Sequence, residues 1–303
     1  MTKPELRLEG LLPPIPTAFN SDESLALDQY RANIERWNRN GYSGYVVLGS
    51  NGEFVHLIQW ERLKVVETAR AAIPENLRLI VGCTLLSARE AVDYVREMAP
   101  LGVDAFLVNT PFYYKSEMTG ERLIEHFTRV ADASPVPIVL YSVPQFTGVS
   151  IAPDTVARLA EHPNICGIKE SAGNLGVVEH ILRQVPESFN VLCGSASIFS
   201  AALMLGACGG VLAVSSVAWR ACLDIVEAVR VGDQARAKDV QLRLLPVADA
   251  VTNRFGIAGL KAALDLLGFY GGPPRSPLKV ADATVRMEIK KVFHASGLFP
   301  ELE

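Results

Sequence analysis

Asn164-Ile165-Cys166-Gly167-Ile168-Lys169-Glu170-Ser171 is a short apolar run that reads as a buried strand and stops at a lysine. Lysine is seldom buried without a partner, so one at the end of a core strand costs stability with no evident structural return. Chemistry supplies one: apolar surroundings disfavour an ammonium, and a free amine is a nucleophile toward carbonyl carbon. The plainer alternative is a solvated lysine lying just past the strand and paired with Glu170.

Working outward, similar apolar segments recur at 11–15, 44–48, 78–81, 105–108, 138–140, 191–192 and 210–214, which with 165–168 makes eight candidate strands. Their starts lie roughly 20 to 35 residues apart, which suits parallel strands joined by right-handed helical crossovers. Helix signals fill the gaps. Leu27, Tyr30, Ile34 and Trp37 recur at helical spacing, as do Leu123, Phe127 and Val130, and Ser87-Ala88-Arg89-Glu90 is a capping box. The pattern predicts a (β/α)8 TIM barrel over residues 1–217, with a doubly wound open sheet as the alternative. From Ala218 the strand signals stop. Residues 218–230, 233–250, 257–267 and 281–295 read as helices, so residues 218–303 are expected to form a C-terminal helical extension packed on the barrel.

Composition narrows the function classes. The chain has 303 residues, of which 49% are hydrophobic, enough to bury a large core. Its net charge of −4 comes from interspersed acids and bases without a basic cluster, so neither nucleic acid nor a membrane surface is an expected partner. Small molecules are. The five cysteines show no CxxC spacing and fall mostly in apolar segments, as reduced core thiols do. The opening MTKPELRLEG carries no apolar leader, and no apolar run reaches membrane-spanning length, so a cytoplasmic location is expected.

A barrel places its site at the C-terminal ends of the strands and in the loops that follow. Lys169 sits at such an end. After the second strand comes Gly49-Ser50-Asn51-Gly52-Glu53, a turn whose amides could converge on a carboxylate, although an ordinary connecting turn reads the same way. The fifth strand ends in Tyr141-Ser142-Val143-Pro144, and the seventh in Gly194-Ser195-Ala196-Ser197. Pro111-Phe112-Tyr113-Tyr114 follows the fourth strand as an aromatic loop, the usual composition of a packing or interface segment. The histidines are scattered without HxH or HExxH spacing and no acidic cluster falls at the strand ends, so no catalytic metal is expected. There is no glycine-rich phosphate loop after the first strand and no GxSxG. An amine, a phenol and a carboxylate-binding turn remain.

These residues resemble the family of Schiff-base lyases and aldolases that includes dihydrodipicolinate synthase, N-acetylneuraminate lyase and 4-hydroxy-2-oxoglutarate aldolase. GSNGE at 49–53, YSVP with TG at 141–148 and GIKES at 167–171 match its three motifs in order, and the likeness covers nearly the whole chain. GSNGEF, NTPFYY, GSAS, RFGIAGLK and GFYGGPPRSPL are most similar to 4-hydroxy-2-oxoglutarate aldolase. The resemblance implies a (β/α)8 barrel with a C-terminal helical extension, assembled as a homotetramer or homodimer and using no cofactor beyond a covalent Schiff base at Lys169. Pyruvate and an aldehyde are the implied partners, with 4-hydroxy-2-oxoglutarate cleaved to pyruvate and glyoxylate. Alternatives are a 2-keto-3-deoxy sugar acid aldolase or dehydratase, dihydrodipicolinate synthase, and a non-catalytic 2-oxo acid binding protein.

The implied roles run residue by residue. Lys169 is the nucleophile, Tyr141 the proton shuttle, and Ser50 and Tyr113 continue the relay, Tyr113 from a neighbouring subunit. Ser50 and Asn51 hold the substrate carboxylate, while Ser171, Gly194 and Ser195 face its distal end. The sequence departs from dihydrodipicolinate synthase at Phe146, where that enzyme has an arginine for the second substrate's carboxylate. An apolar ring cannot donate to an anion, which argues against aspartate semialdehyde and also puts glyoxylate in doubt.

Overall fold

Eight parallel strands carry the architecture, most of them buried on both faces. In the computed structural model, which describes residues 6–300, they are β1 (Gly10–Leu11), β2 (Gly44–Val47), β3 (Arg78–Cys83), β4 (Ala105–Asn109), β5 (Ile138–Ser142), β6 (Ile165–Glu170), β7 (Asn190–Cys193) and β8 (Gly209–Gly210). Such burial needs helices outside and side chains inside, which continuous apolar runs provide. The ladder order is β1-β8-β7-β6-β5-β4-β3-β2. A parallel bridge between Pro14 and Val46 joins the two ends, with Ile15 N donating to Val46 O at 3.0 Å and Val46 N to Pro13 O at 3.0 Å. The chain is therefore a (β/α)8 barrel, and the open-sheet alternative falls.

Two strand expectations are corrected at this seam. Where a strand was expected over residues 11–15, regular strand spans only Gly10–Leu11, because Pro13, Pro14 and Pro16 have no N–H to give a ladder. Where a strand was expected over residues 210–214, only Gly209–Gly210 is regular strand, and Ala213–Ser216 winds into a 3-10 turn. Elsewhere most strands outrun the apolar segment. β6 continues through Glu170, so Lys169 lies inside the strand rather than past it.

Helices fill the connections as the sequence predicts. Tyr30, Ile34 and Trp37 are the buried stripe of Leu27–Trp37, and Ser87 Oγ accepts from Glu90 N at 3.1 Å to open Ala88–Met98. One core lies between strands and helices. A second, built from Val46, Ile80, Leu107, Val139, Tyr141 and Leu192 among others, fills the barrel. After β8, Trp219–Arg230 packs against β1. Gln234–Asp249, Gly256–Leu266 and Ala283–Ser296 follow, and between the first two lies a π-helical turn, Ala250–Arg254, that the sequence does not announce. Among the described residues no helix is long and apolar enough to cross a membrane, and the five cysteines are free.

Candidate active site

A single bulge puts the lysine in place. β5 pairs with β6 as Ile138 with Ile165 and then Val139 with Gly167, so one residue is skipped and Tyr141 comes opposite Lys169. Without the skip Ile168 would take that position, since a one-residue slip turns every side chain to the other face. Gly167 permits the arrangement: a Cβ there would press into the backbone carbonyl of Asn190. Lys169 and Tyr141 are 5% and 4% exposed, with Nζ 4.2 Å from the centroid of the phenol ring.

The solvated pair with Glu170 does not form. Glu170 faces away from the barrel interior, and its Oε1 accepts from Ala172 N at 2.6 Å. Burial pushes its carboxyl above the ordinary range, against the opposing hydrogen bond from Ala172.

Across the mouth, Ser50 Oγ lies 3.2 Å from the Tyr141 hydroxyl. Ser50-Asn51-Gly52 is one 3-10 turn, and Asn51 Nδ2 donates to Pro14 O at 3.2 Å, which ties the turn to β1's continuation. The turn ends on Glu53, a non-glycine residue at φ 55° in the left-handed region. What holds it there is a buried charge cluster. Lys261 Nζ sits 2.8 Å from Glu53 Oε1 and also donates to Pro273 O at 2.8 Å. Arg275 N donates to Glu53 Oε2 at 3.0 Å, while its guanidinium grips Glu61 through two bonds of 2.7 Å. Burial pushes the Lys261 ammonium below the ordinary lysine range, the neighbouring Glu53 carboxylate opposing that shift. The C-terminal extension thus braces the turn from behind.

A cavity of about 540 Å³ joins these groups, and Ser50, Asn51, Tyr141, Lys169, Ser171, Gly194 and Ser195 all line it. Gly194 keeps its wall open, because a Cβ there would collide with Ser171 Oγ. Ser195 Oγ lies 2.9 Å from Ser197 Oγ. Tyr113 is the exception: it is 72% exposed, stacks edge-on against Tyr114 with 5.1 Å between centroids, and does not line the cavity of its own chain. Gln145, Asp249, Thr252, Asn253 and Ile257 line the cavity and were missed. The last four come from the extension near its π turn, a feature frequent at functional sites. No sequence periodicity marks that turn as facing a barrel mouth whose lysine lies more than 80 residues away in sequence.

A barrel that buries an amine beside a phenol, with a backbone turn facing both, is the construction of a lysine Schiff-base carbon–carbon lyase. The chain belongs to the dihydrodipicolinate synthetase family, which it matches over residues 7–296. It is 38% identical to 4-hydroxy-tetrahydrodipicolinate synthase of Methanothrix thermoacetophila over 89% of this chain and 90% of that protein. It is 35% identical to the synthase of the same name from Exiguobacterium sp., over 92% and 95% of the two chains. Among solved structures, YagE of E. coli K12, a family member crystallised in complex with pyruvate, superimposes with a TM-score of 0.90 at 26% identity, covering 97% of this chain and all of that one. The similarity expected specifically to 4-hydroxy-2-oxoglutarate aldolase has no counterpart in these relatives' names.

Proposed function

We propose that this enzyme forms a Schiff base between Lys169 and a 2-oxo acid, and breaks or makes a C3–C4 bond to give pyruvate and an uncharged, hydroxylated aldehyde. Its substrate would be a 2-keto-3-deoxy sugar acid. One observation carries this reading: among the described residues the only cationic side chain lining the cavity is Lys169 itself. A second carboxylate, as in 4-hydroxy-2-oxoglutarate or aspartate semialdehyde, would be buried without a charged partner, at a cost of about 1–3 kcal/mol or more. Ser195, Ser197, Gln145, Thr252 and Asn253 offer hydroxyl and amide groups in its place, and Phe146 stands at the mouth where an arginine would be needed.

In the proposed cycle the Lys169 amine adds to C2, and Tyr141 delivers the proton with which the C2 hydroxyl leaves as water; the phenolate so formed takes the C4 hydroxyl proton as that oxygen becomes the aldehyde and the iminium takes up the electrons of the C3–C4 bond as an enamine, which then gains a proton at C3 and adds water at C2 to release pyruvate and the free lysine. Ser50 and Asn51 hold the carboxylate through backbone and side-chain groups, which fixes C2 for attack. No metal or organic cofactor enters this scheme. Tyr141→Phe is expected to lower kcat about 10²- to 10⁴-fold while pyruvate still binds, the usual weight of a positioned acid–base group. Equal kcat in both proteins would remove Tyr141 from the relay.

Pyruvate release measured across two 2-keto-3-deoxy sugar acids, 4-hydroxy-2-oxoglutarate and N-acetylneuraminate, beside condensation with aspartate semialdehyde, tests the substrate. Fastest turnover of a deoxy sugar acid with pyruvate appearing supports the reading, whereas its loss of water without pyruvate would make the enzyme a dehydratase. Condensation with aspartate semialdehyde is the second reading, favoured by the names of the relatives at 35% and 38% identity. Efficient condensation would show that a group other than Phe146 recognises that carboxylate.

Tyr113 leads to a further expectation. With Tyr114 it forms an exposed aromatic surface beside the cavity-bearing face, which a second copy of the chain would cover while lending Tyr113 to its neighbour's relay. Light scattering at micromolar concentration should report a dimer or tetramer, and Tyr113→Phe should lower kcat. A fully active monomer would rule this out.

A further inference from the structure

The row that holds the reacting pair has a third polar member. The registers align Asn109 of β4 with Tyr141 of β5 and Lys169 of β6, and paired residues of parallel neighbours point to the same face. Asn109 continues the inward-facing set of β4, whose Ala105 and Leu107 belong to the core inside the barrel. It is 3% exposed, and its Oδ1 atom is buried with no hydrogen-bond partner among the described residues.

A second asparagine in the same barrel shows what a structural amide does there. Asn190 of β7 is 1% exposed and spends its side chain fully, donating to Leu6 O at 2.9 Å and Cys166 O at 2.7 Å and accepting from Leu8 N at 2.9 Å. Asn109, at the opposite end of the barrel, has an acceptor left over. Buried polar groups in native proteins find partners, and one left without is costly unless something arrives to meet it.

The site contains what would arrive. Tyr141 starts on β5 and reaches Ser50, after β2, so its phenol passes over the ends of β4 and β3 that lie between. We infer that Asn109 is a positioning residue for the Tyr141 relay, its Oδ1 accepting the phenol O–H when that hydroxyl turns from Ser50 toward the lysine adduct. The adduct is the Schiff base of the proposed function, on which this inference rests.

The test needs pyruvate alone. In deuterium oxide the Lys169 iminium of pyruvate loses a C3 proton to give the enamine and regains a deuteron, so NMR of the methyl signal reads the relay without any aldehyde. Asn109→Leu, similar in volume and unable to hydrogen-bond, is expected to lower the maximal exchange rate about ten- to a hundredfold. The half-saturating pyruvate concentration should stay within about twofold, and the melting temperature should hold or rise because an unmet polar group has been removed. Asn109→Ala, which adds no bulk, should show the same loss of rate and decides the matter if the leucine variant misfolds. Exchange at the wild-type rate in either folded variant overturns the inference, as does a changed pyruvate saturation with an unchanged maximal rate. Absence of exchange in the wild-type enzyme would instead refute the Schiff-base reading itself.

Discussion

Lys169→Ala is expected to abolish turnover, with a loss on the order of a million-fold, the scale seen when an enzyme loses its covalent nucleophile. The expectation rests on position: the amine is buried beside Tyr141, in a cavity that also holds the Ser50 turn. Borohydride reduction with pyruvate should add a stable mass to a wild-type peptide containing Lys169, and none to the variant. The fold should survive, because among the described residues Lys169 has no salt-bridge partner whose charge its removal would strand, and melting curves of the two proteins should be close. Retained activity in a folded alanine variant would sink the mechanism, and an adduct on another lysine would move it.

Lys261→Met should have the largest effect on stability, a loss of about 3–5 kcal/mol, which is what removing one member of a buried ion pair costs when the other stays charged. Glu53 and Lys261 side chains are 0% and 1% exposed, so no water replaces the missing partner. Thermal and urea denaturation measure the loss. The double variant Lys261→Met with Glu53→Gln should recover most of it, since no uncompensated charge remains. Activity is expected to stay low in both, because Glu53 holds the end of the turn in a left-handed conformation that its charge contacts stabilise. A single variant within about 1 kcal/mol of wild type would mean that the pair carries little energy.

The barrel was legible because its signal is repeated: eight apolar segments whose starts lie roughly 20 to 35 residues apart, with a helical stripe or a capping box in three of the gaps between them. Where one segment was poor in information the reading slipped, as at Pro13-Pro14-Ile15-Pro16, whose apolar character looks like strand while its missing N–H groups prevent a ladder. The motif turns were also legible, and Ser50, Asn51, Tyr141, Lys169, Ser171, Gly194 and Ser195 do share one cavity.

By itself the sequence determined the order of strands and helices, the placement of the lysine and tyrosine at the same end of a barrel, and the absence of a cation at position 146. Only the tertiary structure decided which face Lys169 takes, because a bulge of one residue between paired strands leaves no mark in periodicity and yet inverts every side chain beyond it. It alone brought Lys261 and Arg275 behind the Glu53 turn, and Asn109 level with Tyr141. Those contacts join residues far apart in the chain, and whether a charge or an amide is met or left without a partner depends on neighbours that only folding supplies.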